Sequence, residues 1–192
     1  MKEHHVNSSN NNILGWYINN SIVEEIVSEC NRKKILFEKE SSGWRGYSYT
    51  YLDVVSTKLF SDYKITLEKC LSLYKDRYTF LHECPDIRFQ YKENTNIPNF
   101  KIQKYQPNKY YSHLHCENDG KYPYRVLAFM TYLTDLDGGG TGFPQQGFES
   151  KSEKGLTLIW PAGFTHPHIG IPATDGIKII ITGWLQWDTE KL

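Results

Sequence analysis

Four of the seven histidines fall in two short segments, Ser112-His113-Leu114-His115-Cys116-Glu117 and Thr165-His166-Pro167-His168. Side chains alternate along a strand, so His115 and Glu117 share a face. One His and one carboxylate from a single strand, completed by a distant His, form a two-His-one-carboxylate set. Such a set covers one face of a non-haem Fe(II) and leaves open positions, whereas a structural zinc is closed by four ligands that usually include Cys. Alternation also admits competitors. His113 shares the face of His115, His166 stands to His168 in the same way, and each His alone can be an ordinary hydrogen-bonded core residue. A cupin-type site built on His113 or His166 therefore stands beside the first reading.

These residues need strands to present them. Short strand-like runs occur at 100–105, 110–117, 125–134, 141–143, 156–161 and 177–187, separated by clusters of Gly, Pro, Asn and Asp. Several short strands without intervening helices predict an antiparallel double-sheet structure such as a jelly roll. Upstream, Ser21 is a candidate cap for a helix whose Ile22, Val23, Ile26, Val27 and Cys30 recur at helical spacing up to Asn31-Arg32-Lys33-Lys34. A second helix is expected from Ser61 or Asp62, with Leu67, Leu71, Tyr74 and Tyr78 on one stripe. The predicted fold class is α+β: a double-stranded β-helix (jelly-roll) core over residues 98–188, supported by a helical and loop part over 13–97. Residues 1–12, polar and Asn-rich, read as a disordered tail in which His4 and His5 are solvated. The stretch 39–55, which includes Trp44, is expected to border the site as strand or loop, and 84–99 to be irregular.

The 192-residue chain is long enough for one compact domain with a real core. Lys plus Arg balances Asp plus Glu at 22 each, so no overall field steers it to nucleic acid or an anionic membrane. Cys30, Cys70, Cys84 and Cys116 form no CxxC pair and read as reduced thiols. The polar start lacks a secretory signal pattern, and the longest apolar run falls far short of a membrane span. A soluble, cytoplasmic protein is expected. The Gly138-Gly139-Gly140 run reads as a turn, since no helix or P-loop Lys follows it.

The runs YYSHLHCEND (110–119), RVLAFMTYLTDLDGGGTGF (125–143) and GLTLIWPAGFTHPHIGIPATDGIKIIITGW (155–184) resemble the prolyl 4-hydroxylase-like branch of the iron(II)/2-oxoglutarate dioxygenases, in particular the small bacterial and phage forms. The resemblance places the metal ligands at His115, Glu117 and His168. It implies Lys178, ten residues after His168, as the partner of the far carboxylate of 2-oxoglutarate, with Tyr105 and Tyr132 beside the cosubstrate. Thr182 and Trp184 follow Lys178 in period two and should share its inward face. A buried dicarboxylate needs a fixed cation at its far end, and Lys178 stands out within Ile177 to Ile181.

The implied cofactors are Fe(II), 2-oxoglutarate and O2, with ascorbate as a candidate reductant. The implied reaction is hydroxylation of a C–H bond with release of succinate and CO2. The expected substrate is a small molecule or a peptide, with prolyl hydroxylation the family default, and no nucleic-acid partner is expected. Lys178 and the balanced charge argue against the nucleic-acid demethylases of the AlkB kind, which carry Arg at the cosubstrate; a cupin-like module without turnover is the alternative from another class. Two departures are visible: Glu117 where most of the family has Asp, and Gly140 where relatives have Glu. Cys116 is expected in the core, and Arg125 is read as a surface residue at a strand end in preference to the pocket mouth.

Overall fold

The computed structural model describes residues 1–4, 11–32, 39–40 and 46–188. His5, Lys33, Lys34, Trp44 and residues 6–10 of the expected tail lie outside them. Among the described residues, twelve strands and three α-helices run in chain order: β1 (Lys2–His4), β2 (Leu14–Tyr17), α1 (Asn20–Arg32), β3 (Lys39–Glu40), β4 (Tyr47–Tyr51), α2 (Leu52–Val55), α3 (Thr57–Arg77), β5 (Ile87–Phe89), β6 (Lys101–Tyr105), β7 (Arg125–Tyr132), β8 (Thr141–Phe143), β9 (Phe148–Glu149), β10 (Leu156–Pro161), β11 (Ile169–Gly170) and β12 (Lys178–Trp187). The major sheet has the order β1-β2-β10-β7-β12-β6-β4-β3, with β5 also paired to β12; β11-β8-β9 form a minor sheet. All pairings are antiparallel. Strands from before and after position 98 thus share one sheet. Lys2–His4, expected in a tail, is an edge strand paired to Leu14–Tyr17.

The helices differ from expectation at their starts. α1 begins at Asn20, where the Asn19 side chain, not Ser21, accepts from Ser21 N at 3.0 Å. α3 begins at Thr57, one turn before Ser61, because Ser56 Oγ accepts from Leu59 N at 3.3 Å. Starting there also lets Leu59 join Tyr63, Leu67, Cys70 and Tyr74 on the buried stripe. These residues, with Val23 and Ile26 of α1, pack on one face of the major sheet against Phe100, Phe129, Ile181 and Leu185.

A second core lies between the sheets and contains Tyr47, Tyr105, Tyr132, Phe143, Trp160 and Ile180. The two cores meet polar chemistry differently. Tyr63 reaches from the helix side to Thr131 Oγ1 (2.8 Å), which pairs with Thr157 Oγ1 (2.8 Å), so the hydroxyl is satisfied in the dark. The four cysteines are free thiols; burial pushes Cys30 up to about 11 and Cys70 up to about 12, as suits inert core residues. Among the described residues, no helix is long and apolar enough to cross a membrane.

Candidate active site

The segment 110–117, expected as a strand, is irregular, with bends at His113 and Glu117. It runs beside β11, where Gly170 N donates to Tyr111 O (2.9 Å), and makes one bridge in which His115 N donates to His168 O (3.1 Å) and His168 N donates to His115 O (2.8 Å). Residues that exchange both bonds of an antiparallel pair put their side chains on the same face. The two imidazoles therefore lie side by side, ring centroids 4.3 Å apart. Glu117 is held next to them by its N–H to Ala162 O at 2.9 Å. Its Oε1 lies 3.5 Å from both His115 Nε2 and His168 Nε2. One ligand atom from each of the three falls within 4.8 Å of the others.

Each imidazole is oriented from behind. His115 Nδ1–H donates to His113 O (2.9 Å) and His168 Nδ1–H to His166 O (3.1 Å), which turns both Nε2 atoms towards Glu117. Two imidazoles and a carboxylate are a donor set that fits Fe(II). Neither competitor joins the set. His113 is exposed at the cavity wall. His166 is buried, donates from Nε2 to Asn11 O (2.7 Å) and accepts at Nδ1 from Thr165; burial lowers its pKa, consistent with this neutral tautomer.

Burial alone would raise the Glu117 carboxyl, but hydrogen bonds and charge from His115 and His168 outweigh it and hold the group well below the usual range. Its second oxygen is engaged too. Oε2 accepts from Trp184 Nε1 at 2.7 Å and faces Arg125 Nη1 at 3.4 Å.

These residues line a cavity of about 460 Å³, within the usual range for small-molecule sites. Lys178 stands in its wall, only 3% exposed, where β12 pairs it with Tyr105 of β6. Its Nζ donates to Gly140 O at 3.1 Å and lies 5.4 and 5.6 Å from the ring centroids of Tyr105 and Tyr132. Among the described residues no carboxylate pairs with it, and burial pushes its pKa down to about 7. A buried amine in that condition suits an incoming carboxylate.

Thr182 and Trp184 also line the cavity, as period two on β12 requires. Tyr105 lines it with its hydroxyl donating to Gln103 Oε1 at 2.9 Å. Tyr132 does not: fully buried behind Lys178, it spends its hydroxyl on Thr141 and Ser150, 2.7 Å from each. Tyr47 and Tyr111 line the cavity as well, their rings stacked with centroids 6.5 Å apart.

Two expectations are corrected. Arg125 is no surface residue: it is 8% exposed and lines the cavity, with its guanidinium 3.8 Å from the ring centroids of both Tyr122 and Trp184. Burial lowers its pKa, opposed by Glu117. Cys116 is not core; its Sγ donates to Asn118 O and it lines the cavity. The reason is the irregular backbone after His115, where strand alternation no longer applies. Asn118 holds that irregular turn, donating from Nδ2 to Pro123 O (3.0 Å) and Arg125 O (2.7 Å). Tyr47 could have been found from the alternating tyrosines of 47–51; Asn118 carried no signal in sequence.

Gly140 proves constrained by its surroundings, since a Cβ there would lie 1.8 Å from Ser150 O. Any side chain, a Glu included, would collide with the Ser150 carbonyl in this turn.

Residues 100–186 match the family model described as the 2OG-Fe(II) oxygenase superfamily. Among curated proteins, no sequence matches the chain. Solved structures share its fold. A viral collagen prolyl hydroxylase from Paramecium Bursaria Chlorella virus-1, in complex with 2OG, superposes with a TM-score of 0.69 at 17% identity, covering 93% of this chain and 97% of that one. A Pseudomonas putida prolyl-4-hydroxylase gives 0.67 at 19% identity, covering 93% and 94%. A Trichoplax adhaerens prolyl hydroxylase, in complex with a hypoxia inducible factor oxygen degradation domain peptide fragment, gives 0.60 at 16% identity, covering 95% and 86%. The segment that carries His115, Glu117, His168 and Lys178 thus belongs to the 2OG-Fe(II) oxygenase superfamily, and the chain is a 2-oxoglutarate-dependent dioxygenase on a prolyl 4-hydroxylase-like fold.

Proposed function

We propose that the chain hydroxylates a C–H bond of a prolyl residue, or of another amino-acid or peptide substrate, with His115, Glu117 and His168 as the Fe(II) ligands and Lys178 as the anchor of 2-oxoglutarate. The observation that carries this reading is the convergence of three ligand atoms within 4.8 Å on the cavity that also holds a buried lysine with no carboxylate partner among the described residues. Bound Fe(II) and 2-oxoglutarate supply the activation of O2 and the oxidising power, with succinate and CO2 as co-products.

The chain's own residues supply position and environment. The carbonyls of His113 and His166 orient the imidazoles. Lys178 offers its ammonium to the far carboxylate, and the Tyr105 ring and Ile180 wall that end of the cavity. Tyr47, Tyr111, Tyr122 and Trp184 add aromatic walls of the kind that accept a saturated ring or a peptide backbone. The prolyl assignment draws support from the two prolyl hydroxylases of similar fold and from the peptide-bound one.

Purified protein supplied with Fe(II), ascorbate and O2 is expected to convert 2-oxoglutarate to succinate, faster in the presence of a prolyl peptide whose mass rises by one oxygen. The reading is overturned if no substrate or peptide library gives succinate and His115→Ala leaves metal affinity unchanged.

A further inference from the structure

Glu117 is one methylene longer than an aspartate, and it carries two oxygens that could both reach a metal. The structure keeps them apart. Oε1 faces the two imidazoles at 3.5 Å from each Nε2, while Oε2 receives the indole N–H of Trp184 at 2.7 Å and the Arg125 guanidinium at 3.4 Å. Arg125 grips the same residue a second time, through Nη1 to Glu117 O at 3.1 Å. Arg125 is itself fixed: Nε donates to Gln90 Oε1 at 2.7 Å, and the guanidinium lies between the rings of Tyr122 and Trp184.

We infer that Trp184 and Arg125 are positioning residues that pin Oε2, so that Glu117 offers the metal Oε1 alone. This rests on the metal-centre reading above. A carboxylate can bind a metal through one oxygen or through both. Two-oxygen binding by Glu117 would consume a position that the bidentate keto-acid end of 2-oxoglutarate needs. Turning Oε2 to the metal would strip the part-buried indole N–H of Trp184 of its acceptor and draw the carboxylate charge away from the buried Arg125 guanidinium, and donors left unpaired out of water are costly. A shorter carboxylate at the same backbone position has less reach to chelate. The clamp therefore compensates for the extra methylene.

The test is a double-mutant cycle on the full chain, in the backgrounds unmodified, Trp184→Phe, Glu117→Asp and both. Co(II) is the spectroscopic probe for the metal, followed by titration with 2-oxoglutarate. In Trp184→Phe the visible Co(II) bands are expected to shift, and 2-oxoglutarate affinity to fall by about 10–100-fold, the range for losing a hydrogen bond to a charged group. With Glu117→Asp present, the same Trp184→Phe change should move affinity by no more than about twofold, the scatter of independent sites. Arg125→Lys is the second variant, and it keeps the proposal testable if Trp184→Phe does not fold. It retains the charge but loses the fork, and should shift the Co(II) bands in the same direction by less.

An equal loss of 2-oxoglutarate affinity in both Glu117 and Glu117→Asp backgrounds, or Co(II) bands unmoved by Trp184→Phe and Arg125→Lys, overturns the clamp and leaves the metal centre standing. Absence of Co(II) binding to the unmodified chain overturns the metal centre and the clamp with it.

Discussion

The two faces of β12 serve opposite purposes. Ile179, Ile181 and Leu185 pack towards the helices, where Leu59, Leu67 and Phe100 complete a dry core. Lys178, Ile180, Thr182 and Trp184, one residue out of phase, line the cavity. Both faces are largely removed from water, yet only one keeps space and unspent charge. On the helix side Tyr63 and Thr131 satisfy each other's hydroxyls. On the cavity side Lys178 has no carboxylate partner among the described residues, and burial has lowered its pKa to about 7. The difference separates residues that hold the fold from residues kept ready for a ligand.

The strongest way to break the comparison is at the metal. His168→Ala should abolish succinate formation and weaken Fe(II) or Co(II) binding by more than the roughly 10–100-fold typical of outer-shell losses, with the thermal unfolding midpoint of metal-free protein little changed. A comparable loss of cooperative folding without metal would show that His168 is a core residue after all. Next, Lys178→Met should weaken 2-oxoglutarate binding by about 2–5 kcal/mol, the usual cost of truncating one partner of a buried charge pair, measured by calorimetry on the metal-loaded protein. Unchanged affinity would remove Lys178 from the site.

On the opposite face, Leu67→Ala should cost about 2–5 kcal/mol of stability in denaturant titrations, while the folded fraction binds 2-oxoglutarate as before. If affinity falls in proportion, the two faces are not independent.

A smaller effect follows from pH. Below about 7, Lys178 is charged in both the folded and the unfolded chain; between about 7 and its ordinary value the folded amine is neutral and the unfolded one charged. The unfolded chain then binds the extra proton, so the stability of the ligand-free protein should rise with pH across that window. Binding a carboxylate favours the charged amine, so 2-oxoglutarate affinity should fall above pH 7, approaching about tenfold per unit (1.4 kcal/mol). Both slopes should vanish in Lys178→Met, and a flat affinity profile from pH 7 to 9 in the unmodified protein would sink this account. Least of all, Tyr63→Phe should cost about 1 kcal/mol through its lost bond to Thr131, with no change at the site.

Period two along β12 was enough to put Lys178, Thr182 and Trp184 on one face, and helical spacing marked Val23, Ile26, Leu67 and Tyr74 as core. Both are local properties of a regular backbone, so the order of residues determines them. The resemblance supplied His115, Glu117, His168 and Lys178 as a set, and Tyr105 at the cavity wall. Where the backbone is irregular, alternation misled. Cys116 turns to the cavity and Arg125 is folded inward, because Asn118 knots the 118–125 loop through hydrogen bonds to Pro123 O and Arg125 O. Tyr132 sits behind Lys178 because Thr141 and Ser150 claim its hydroxyl, and those partners come from a different sheet.

The sequence by itself determined the residue types, their phase on each strand and the two competing histidine pairs. The resemblance named one pair, and only the tertiary structure shows which imidazoles stand beside Glu117. The two backbone hydrogen bonds between His115 and His168 bring two chain segments into register, and the Asn11 carbonyl engages His166 instead. Choosing between neighbours two residues apart on the same face requires knowing what lies across from them, and that is set by strand pairing between segments some fifty residues apart.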